Sequence, residues 1–349
     1  MLIYVLIFLL AFVFLLNENT NNSQRYVRFL FIIIFVIMGL RDYSVGTDTI
    51  TYIQQYEDGS SYLRSADVGF TKYNQFLAGI GVSPRLFLII SSFIILFPVY
   101  LFVKNNSENK SLVTLLYLTI GTFSMHMTGI RQSIAMGICL LGCVLFLAIK
   151  RKYLKYIVLA GLIAIAATIH GTAIVCYLYI PMFFLANVEF KFKKLTLVIL
   201  LALPIAAVFL SSHFSSIVNY FMISKYEDYE LGSSNINIVA FFVIPYCIFI
   251  FLTWLQGKIG FVDNVERFCY LSAFLYVMAA SASMYMPMLA RMGYYFSLPM
   301  LTLVGNYCEK YGVANTKLIR NGIAVICILF FLISTSGGIL QLDHYRFCF

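Results

Sequence analysis

Continuous apolar runs, repeated along the whole chain and long enough to cross a bilayer, most constrain what this sequence can fold into. The runs at 86–103 and 238–255 contain no charged residue and leave no place for the polar, inward-facing side chains of a membrane β-barrel. Across the chain, 61% of residues are hydrophobic and only 11% are charged. The sequence therefore predicts an all-α protein, a polytopic bundle of transmembrane helices.

About twelve spans are predicted, forming a single integral membrane domain over residues 1–349. The first apolar stretch is interpreted as a span and not as a cleaved signal, because it lacks a basic region and a small-residue cleavage site. Residues 154–186 exceed the roughly 20 residues of one span, so we expect a tight hairpin turning at His170 and Gly171. The predicted spans are 2–16, 27–40, 85–103, 111–128, 130–149, 154–169, 171–186, 195–212, 236–255, 268–289, 292–308 and 321–340.

The distribution of positive charge sets the expected orientation. With both termini outside, most of the 24 Lys and Arg residues fall in inner loops or at the inner ends of spans, as the positive-inside rule requires. Residues 67–83 are moderately apolar but carry charged and amide side chains, so we interpret them as an interfacial or re-entrant helix. The large outer loops are then 41–84, which contains this helix, and 213–235.

The most informative polar stretch is Arg41–Thr49, which places an arginine and two aspartates directly after the apolar run 29–40. Ionisable groups at the mouth of a span are costly and mark functional sites in membrane proteins. In the predicted topology Arg131, His170 and Arg291 also lie at the outer ends of helices. We therefore expect a functional cavity on the outer face, built from span ends and outer loops.

Each candidate also has a purely structural interpretation. Arg41 fits an interfacial anchor whose long side chain reaches the headgroups, and Asp48 fits a helix cap. His170 fits a buried histidine bonded to a backbone carbonyl. Arg131 and Arg291 fit ion pairs with outer aspartates. Two arginines facing one cavity would equally suit a diphosphate headgroup, because the planar guanidinium grips phosphate through paired hydrogen bonds.

Several enzyme and pump classes lack their signatures in this chain. It contains no nucleotide-binding P-loop, no glycine-rich dinucleotide turn, no zinc motif and no serine nucleophile elbow. Seven of the eight cysteines lie within or at the ends of apolar runs, where cysteine acts as a small hydrophobe. The net charge of +9 is explained by inner membrane anchors and does not imply nucleic acid. No cofactor and no metal site are expected.

Five short blocks of the sequence, taken in order, carry a family resemblance. They are Gly39-Leu40-Arg41-Asp42 with Gly46-Thr47-Asp48-Thr49 and Tyr52, Asp67-Val68-Gly69-Phe70, Gly129-Ile130-Arg131-Gln132-Ser133-Ile134-Ala135, His170-Gly171-Thr172-Ala173, and Arg291 with Tyr294-Tyr295-Phe296. In this order the blocks resemble the EpsG-type membrane proteins, which belong with the Wzy-like polymerases of bacterial surface polysaccharides. The resemblance spans most of the chain. One departure is Asp67, where glutamate is expected.

The resemblance implies that a growing glycan on undecaprenyl diphosphate is transferred to a fresh lipid-linked repeat unit, at the outer face of the bacterial cytoplasmic membrane. The product would be O-antigen, capsule or exopolysaccharide. Arg131 and Arg291 would hold the departing diphosphate, and Asp48 or His170 would act as base toward the acceptor hydroxyl. Substrate contacts would come from Arg41, Asp42, Thr49, Tyr52, Asp67, His126, Gln132 and Tyr294.

The implied partners are the lipid-linked oligosaccharides, the lipid bilayer, a regulator of polymer chain length and an upstream flippase. Two other functions stay open. A flippase for the same lipid-linked units would place ionisable groups deep within spans and on both sides of the midplane, whereas the candidates lie toward one face. A membrane acyltransferase acting on the polysaccharide would need a histidine-centred motif, for which His126 and His170 are the outer histidines.

Overall fold

The computed structural model describes residues 2–19, 21–58, 68–187, 198–209, 243–255, 263–283, 287–310, 316–335 and 341–349. These residues are helical apart from short connections, and their only β pairing is an isolated antiparallel bridge between Arg41 and Phe347. The predicted all-α class is therefore confirmed. The predicted outer loop 213–235 and the candidate Asp67 lie outside the described residues.

The described helices follow one another along the chain with short connections. They are α1 (Leu2–Asn17), α2 (Ser23–Gly39), α3 (Thr49–Glu57), α4 (Val68–Gly79), α5 (Pro84–Asn106), α6 (Lys110–Thr119), α7 (Thr122–Thr128), α8 (Ile130–Ala148), α9 (Lys152–Ile169), a 3-10 helix (Gly171–Leu178), α10 (Tyr179–Ala186), α11 (Val198–Phe209), α12 (Ile244–Leu255), α13 (Asn264–Ala282), α14 (Pro287–Lys310) and α15 (Thr316–Thr335).

Several of these helices have the length and composition of membrane spans. Helices α5, α8 and α9, and residues 317–335 of α15, are long and apolar enough to cross a bilayer. Shorter apolar helices occur at 2–17, 110–119, 171–186 and 198–209. Helices α9 and α15 leave most of their apolar side chains uncovered, including Ile157 and Ile333, as expected of surfaces that face lipid. The protein is thus a membrane protein, and the count of about twelve spans stays a prediction.

The chain forms two compact units, residues 1–180 with 304–349, and residues 181–303. In the first unit α8 is the central helix and packs against α5, α9 and the 3-10 helix. Gly137 permits the close approach of α8 to α5, because a Cβ there would lie 2.7 Å from the carbonyl oxygen of Ile94. In the second unit the ring of Phe183 stacks on Phe268 of α13 with centroids 4.1 Å apart.

The chain reverses at His170, as predicted. Tyr177 donates a hydrogen bond to the carbonyl of Ala160 at 3.5 Å, and Cys176 bonds with Cys139 of α8. The returning segment begins as a 3-10 helix and becomes α-helical at Tyr179. His170 therefore lies at the tip of a hairpin whose two arms both pack within the first unit.

Two predicted elements differ from the structure in detail. The span predicted at 111–128 is broken into α6 and α7 at Gly121, whose φ of 73° is a left-handed conformation that glycine adopts without steric cost. The helix predicted near 67–83 is present as α4, which is too short to span a bilayer and packs against the end of α9. Its Phe76 side chain is 65% exposed, as expected of a helix at a membrane interface.

Candidate functional site

Residues 40–48 connect α2 to α3, and Arg41 fastens this connection to the core. Arg41 is fully buried, and its guanidinium donates to the carbonyl oxygen of Met38 and, at 3.2 Å, to that of Met127. The Arg41 carbonyl accepts a hydrogen bond from Nη1 of Arg85 at 2.6 Å. Burial lowers the pKa of Arg41 to about 10, so the side chain stays charged at neutral pH. Arg41 is therefore a structural cross-link below the surface.

The segment 341–349 pairs with the same connection. Tyr345 donates its hydroxyl proton to the carbonyl of Ile37 at 2.8 Å, and its ring meets that of Tyr4 edge to face. The segment and the connection thus lie at one end of the first unit, consistent with the topology that places both outside. Backbone hydrogen bonds join Asp42 N to Arg346 O at 2.9 Å, Cys348 N to Leu40 O at 3.1 Å and Gly46 N to Gln341 O at 3.2 Å.

A close approach at Gly46 brings the connection against the junction of α7 and α8. Gly46 has a φ of 90°, and a Cβ there would lie 2.6 Å from the carbonyl oxygen of Met127. Thr49 is fully buried and donates its hydroxyl proton to the carbonyl of Val45 at 2.8 Å. The Thr49 side chain therefore shapes the turn that precedes α3.

The carboxylate of Asp42 forms a local turn with Ser44. Its Oδ1 accepts hydrogen bonds from the Ser44 hydroxyl at 2.6 Å and from the Ser44 amide at 2.9 Å. These bonds, the hydroxyl first, hold the pKa of Asp42 below its usual value, so the group is ionised at neutral pH. Arg41 and Asp42, adjacent in sequence, thus have separate partners.

Asp48, Tyr52 and Arg131 form the best-defined group of candidate residues. Nε of Arg131 lies 3.4 Å from the Tyr52 hydroxyl, and its guanidinium carbon lies 5.7 Å from the centre of the Tyr52 ring. Asp48 occupies the N-cap of α3, but its exposed side chain makes no capping hydrogen bond, so the capping interpretation is not supported. Burial raises the pKa of Tyr52, Arg131 opposes that rise, and Asp48 adds to it. A cation, a neutral phenol and a carboxylate therefore share one environment.

His170 lies at the same end of the first unit as this group. Thr168 touches α4, because a Cβ on Gly69 would fall 2.7 Å from the Thr168 carbonyl carbon. The next residue of α4, Phe70, contacts the Tyr52 ring edge to face with centroids 5.8 Å apart. Helix α4 thus links the tip of the hairpin to the Tyr52–Arg131 pair. His170 itself is half-buried, within reach of this surface.

Two other candidates are buried in the first unit. His126 is 2% exposed, and its Nδ1 lies 2.8 Å from the hydroxyl of Tyr117, on the preceding helix. Gln132 is 3% exposed in the first turn of α8. These positions make both residues parts of the packing beneath the Asp48–Tyr52–Arg131 group.

The remaining described candidates belong to the second unit. Arg291 is exposed near the start of α14, and Tyr294 follows one turn later and is half-buried. Gly293 between them lets α14 pack closely on α13, since a Cβ there would lie 3.2 Å from the Cβ of Ala279. The expected convergence of Arg131 and Arg291 on one cavity stays a prediction.

A protein-family model, described as the EpsG family, matches residues 24–344. The chain belongs to the EpsG family. The match includes Arg41, Asp48, Arg131, His170 and Arg291, and it confirms the resemblance inferred from the five sequence blocks. EpsG-family membership connects the protein with polysaccharide biosynthesis and with polymerase chemistry of the glycosyltransferase type. Neither a curated protein nor a solved structure matches the chain.

Some residues that build the site of this EpsG-family protein were not predicted from sequence. Tyr345 and the rest of 341–349 carry no motif, and they pair with residues about 300 positions earlier. Arg85 was assigned to a span end, yet it also lies 4.3 Å above the Tyr43 ring and fixes the Arg41 carbonyl. Phe70 was recognised only as part of a block. Its helical position next to a polar outer loop was the one available signal.

Proposed function

We propose that this EpsG-family protein joins undecaprenyl-diphosphate-linked oligosaccharide repeat units into a surface polysaccharide at the outer face of the cytoplasmic membrane. The observation that carries the proposal is the grouping of Asp48, Tyr52 and Arg131, with His170 at the same end of the unit. Glycosyl transfer from a lipid diphosphate needs a cation for the leaving group and a base for the attacking hydroxyl. The group supplies both kinds of side chain.

The proposal assigns the leaving diphosphate to Arg131. This residue lies in the first turn of α8, where the partial positive charge of the helix N-terminus adds to that of the guanidinium. The N-cap is Gly129, which has no side-chain oxygen to occupy the free amides of that turn. As the bond between the anomeric carbon and the diphosphate oxygen breaks, the negative charge on that oxygen grows. Arg131 and the helix start stabilise that charge.

The attacking hydroxyl belongs to the acceptor repeat unit. Its oxygen forms a bond to the anomeric carbon of the donor glycan, and its proton passes to Asp48 or His170. Asp48 is exposed and His170 half-buried, so either side chain is accessible from the site end of the unit. Tyr52 contacts sugar and orients Arg131. Arg291 is assigned the second phosphate, with Tyr294 beside it.

The outer location is supported by the arrangement of charge in the first unit. Asp48, Arg131 and His170 lie at one end of α3, α8 and α9, together with the segment 341–349. The turn between α8 and α9, at the other end of these helices, carries the basic cluster 150–155. Basic residues concentrate on the cytoplasmic side of membrane proteins, so the site end is assigned to the outside. A chain-length regulator and a flippase are the proposed partners there and upstream.

The proposal is tested by analysing lipid-linked glycans in a strain that lacks the gene and carries Arg131→Gln, Asp48→Asn or the matched control Asp58→Asn. Asp58 is exposed at the opposite end of α3. We expect Arg131→Gln to reduce polymer synthesis by about 100- to 1,000-fold, as for loss of one charge-stabilising donor. A single repeat unit, still lipid-linked and facing outward, should accumulate. Asp58→Asn should restore the full ladder at equal protein level.

Other outcomes would exclude the proposal. Repeat units retained on the inner face would identify a flippase, and chains of normal length that lack acyl groups would identify an acyltransferase. A normal ladder with Arg131→Gln would remove Arg131 from the reaction.

A further inference from the structure

A groove of about 380 Å³ runs between α2 and α5 on the surface of the first unit. Its floor is formed by the buried side chains of Phe31 and Leu96. Its walls are aromatic: Phe93 stacks on Phe97 with centroids 5.1 Å apart and meets Phe35 edge to face at 6.3 Å. Pockets that hold small ligands measure roughly 300–1,000 Å³, so the groove can take part of one lipid chain.

A cation closes one end of the groove. Arg28 lines it, is exposed, and makes no side-chain hydrogen bond or ion pair with the part of the chain that the structure describes. Tyr100 lines the same end, and Nζ of Lys104 lies 5.8 Å from the centre of its ring. The groove thus combines a long apolar wall with positive charge where α2 begins and α5 ends.

This end of α2 lies opposite the candidate site. Thirteen residues separate Arg28 from Arg41, which is about 20 Å along a helix. Under the proposed orientation, Arg28 lies at the headgroups of the cytoplasmic leaflet, and the apolar wall points toward the bilayer centre. A lipid whose headgroup reaches Arg28 is therefore anchored in the leaflet away from the polymerase site.

We propose that the groove binds an anionic glycerophospholipid of this leaflet, with its phosphate on Arg28 and an acyl chain along the Phe93–Phe97 wall. Lipid fills every exposed apolar groove of a membrane protein, so the apolar wall alone would not select a headgroup. Arg28 supplies the selection, because a cation near the membrane surface attracts anionic lipids and its guanidinium pairs with phosphate. The inference goes beyond the proposed glycosyl transfer and depends on none of its residues.

The test measures lipid binding to the purified full chain in a neutral detergent, by native mass spectrometry. The probes are phosphatidylglycerol, phosphatidylcholine and undecaprenyl phosphate. The variants are Arg28→Gln, Arg28→Lys and the matched control Arg151→Gln, which removes an exposed arginine at the start of α9. A Phe93→Ala variant tests the wall independently of charge.

We expect phosphatidylglycerol to bind more tightly than phosphatidylcholine. Arg28→Gln should weaken phosphatidylglycerol binding about fivefold, the effect of one cation near a membrane surface. Arg28→Lys should keep most of the affinity, Phe93→Ala should weaken both phospholipids, and Arg151→Gln should match the parent chain. Equal affinities for the two phospholipids, or an unchanged affinity in Arg28→Gln, would overturn the proposal. So would displacement of phosphatidylglycerol by an equal concentration of undecaprenyl phosphate, which would make the groove a site for the substrate lipid.

Discussion

Replacing Gly46 with alanine should damage the site end of the protein through two separable effects. The residue has a φ of 90°, a left-handed conformation in which an added Cβ meets its own backbone. The same Cβ would lie 2.6 Å from the carbonyl oxygen of Met127 and 3.1 Å from Oγ1 of Thr49. The Met127 oxygen belongs to the backbone and also accepts a hydrogen bond from Arg41, so it cannot move without loosening that bond.

The size of the effect follows from these two contributions. The left-handed conformation costs an alanine about 1–2 kcal/mol. Forcing extra volume into a packed site typically costs about 1–3 kcal/mol. We therefore expect Gly46→Ala to lower the free energy of unfolding by about 2–5 kcal/mol. Gly81 provides a matched control, because it has a φ of 76° and no atom within 4 Å of its added Cβ. Gly81→Ala should cost only the conformational part, about 1–2 kcal/mol.

The assay is the thermal midpoint of each purified variant in the same detergent, measured by size-exclusion recovery after heating, together with polymer synthesis in cells. Gly46→Ala should show the larger fall in midpoint and a loss of polymer, because the displaced connection carries Asp48. Gly81→Ala should show a small fall and normal polymer. Equal midpoints for the two alanine variants would refute the argument that contact with the Met127 carbonyl makes Gly46 irreplaceable.

Three further outcomes are expected. Gly137→Ala should destabilise the purified protein on heating because it separates α8 from the backbone of α5, whereas Gly161→Ala in the open face of α9 should be neutral or stabilising. Glu18→Gln should cost about 1 kcal/mol and speed hydrogen exchange at the start of α6, since its carboxylate accepts from the first two amides there at 2.9 and 2.8 Å. Tyr345→Phe should cost about 1 kcal/mol and speed exchange in residues 40–46 alone.

The sequence predicted the helical class and many helix positions because apolar runs in a membrane have only one way to satisfy their backbone groups. The span predicted at 130–149 is observed as Ile130–Ala148, and the hairpin at His170 is present. The break at Gly121 was missed. Its neighbours are apolar on both sides, so hydropathy runs through it, and only the left-handed φ reveals that two helices replace one.

The candidate site was predictable at the level of residues but not of side-chain direction. Asp48, Tyr52 and Arg131 were each identified from sequence, and the structure groups them because the turn before α3 packs on the junction of α7 and α8. Arg41 and Thr49 were predicted to contact substrate, yet both are fully buried. Hydropathy locates a residue near the membrane surface but does not determine which way its side chain points.

The burial of Arg41 is explained by the helix ends around it. A buried arginine normally needs a carboxylate, and within the described part of the chain its acceptors are backbone carbonyls instead. Met38 lies in the last turn of α2 and Met127 in the last turn of α7, where carbonyls lack helical partners and the helix dipole is negative. One guanidinium therefore serves two helix C-termini at once. This arrangement fixes the connection that presents Asp48 and leaves phosphate binding to Arg131, at the positive start of α8.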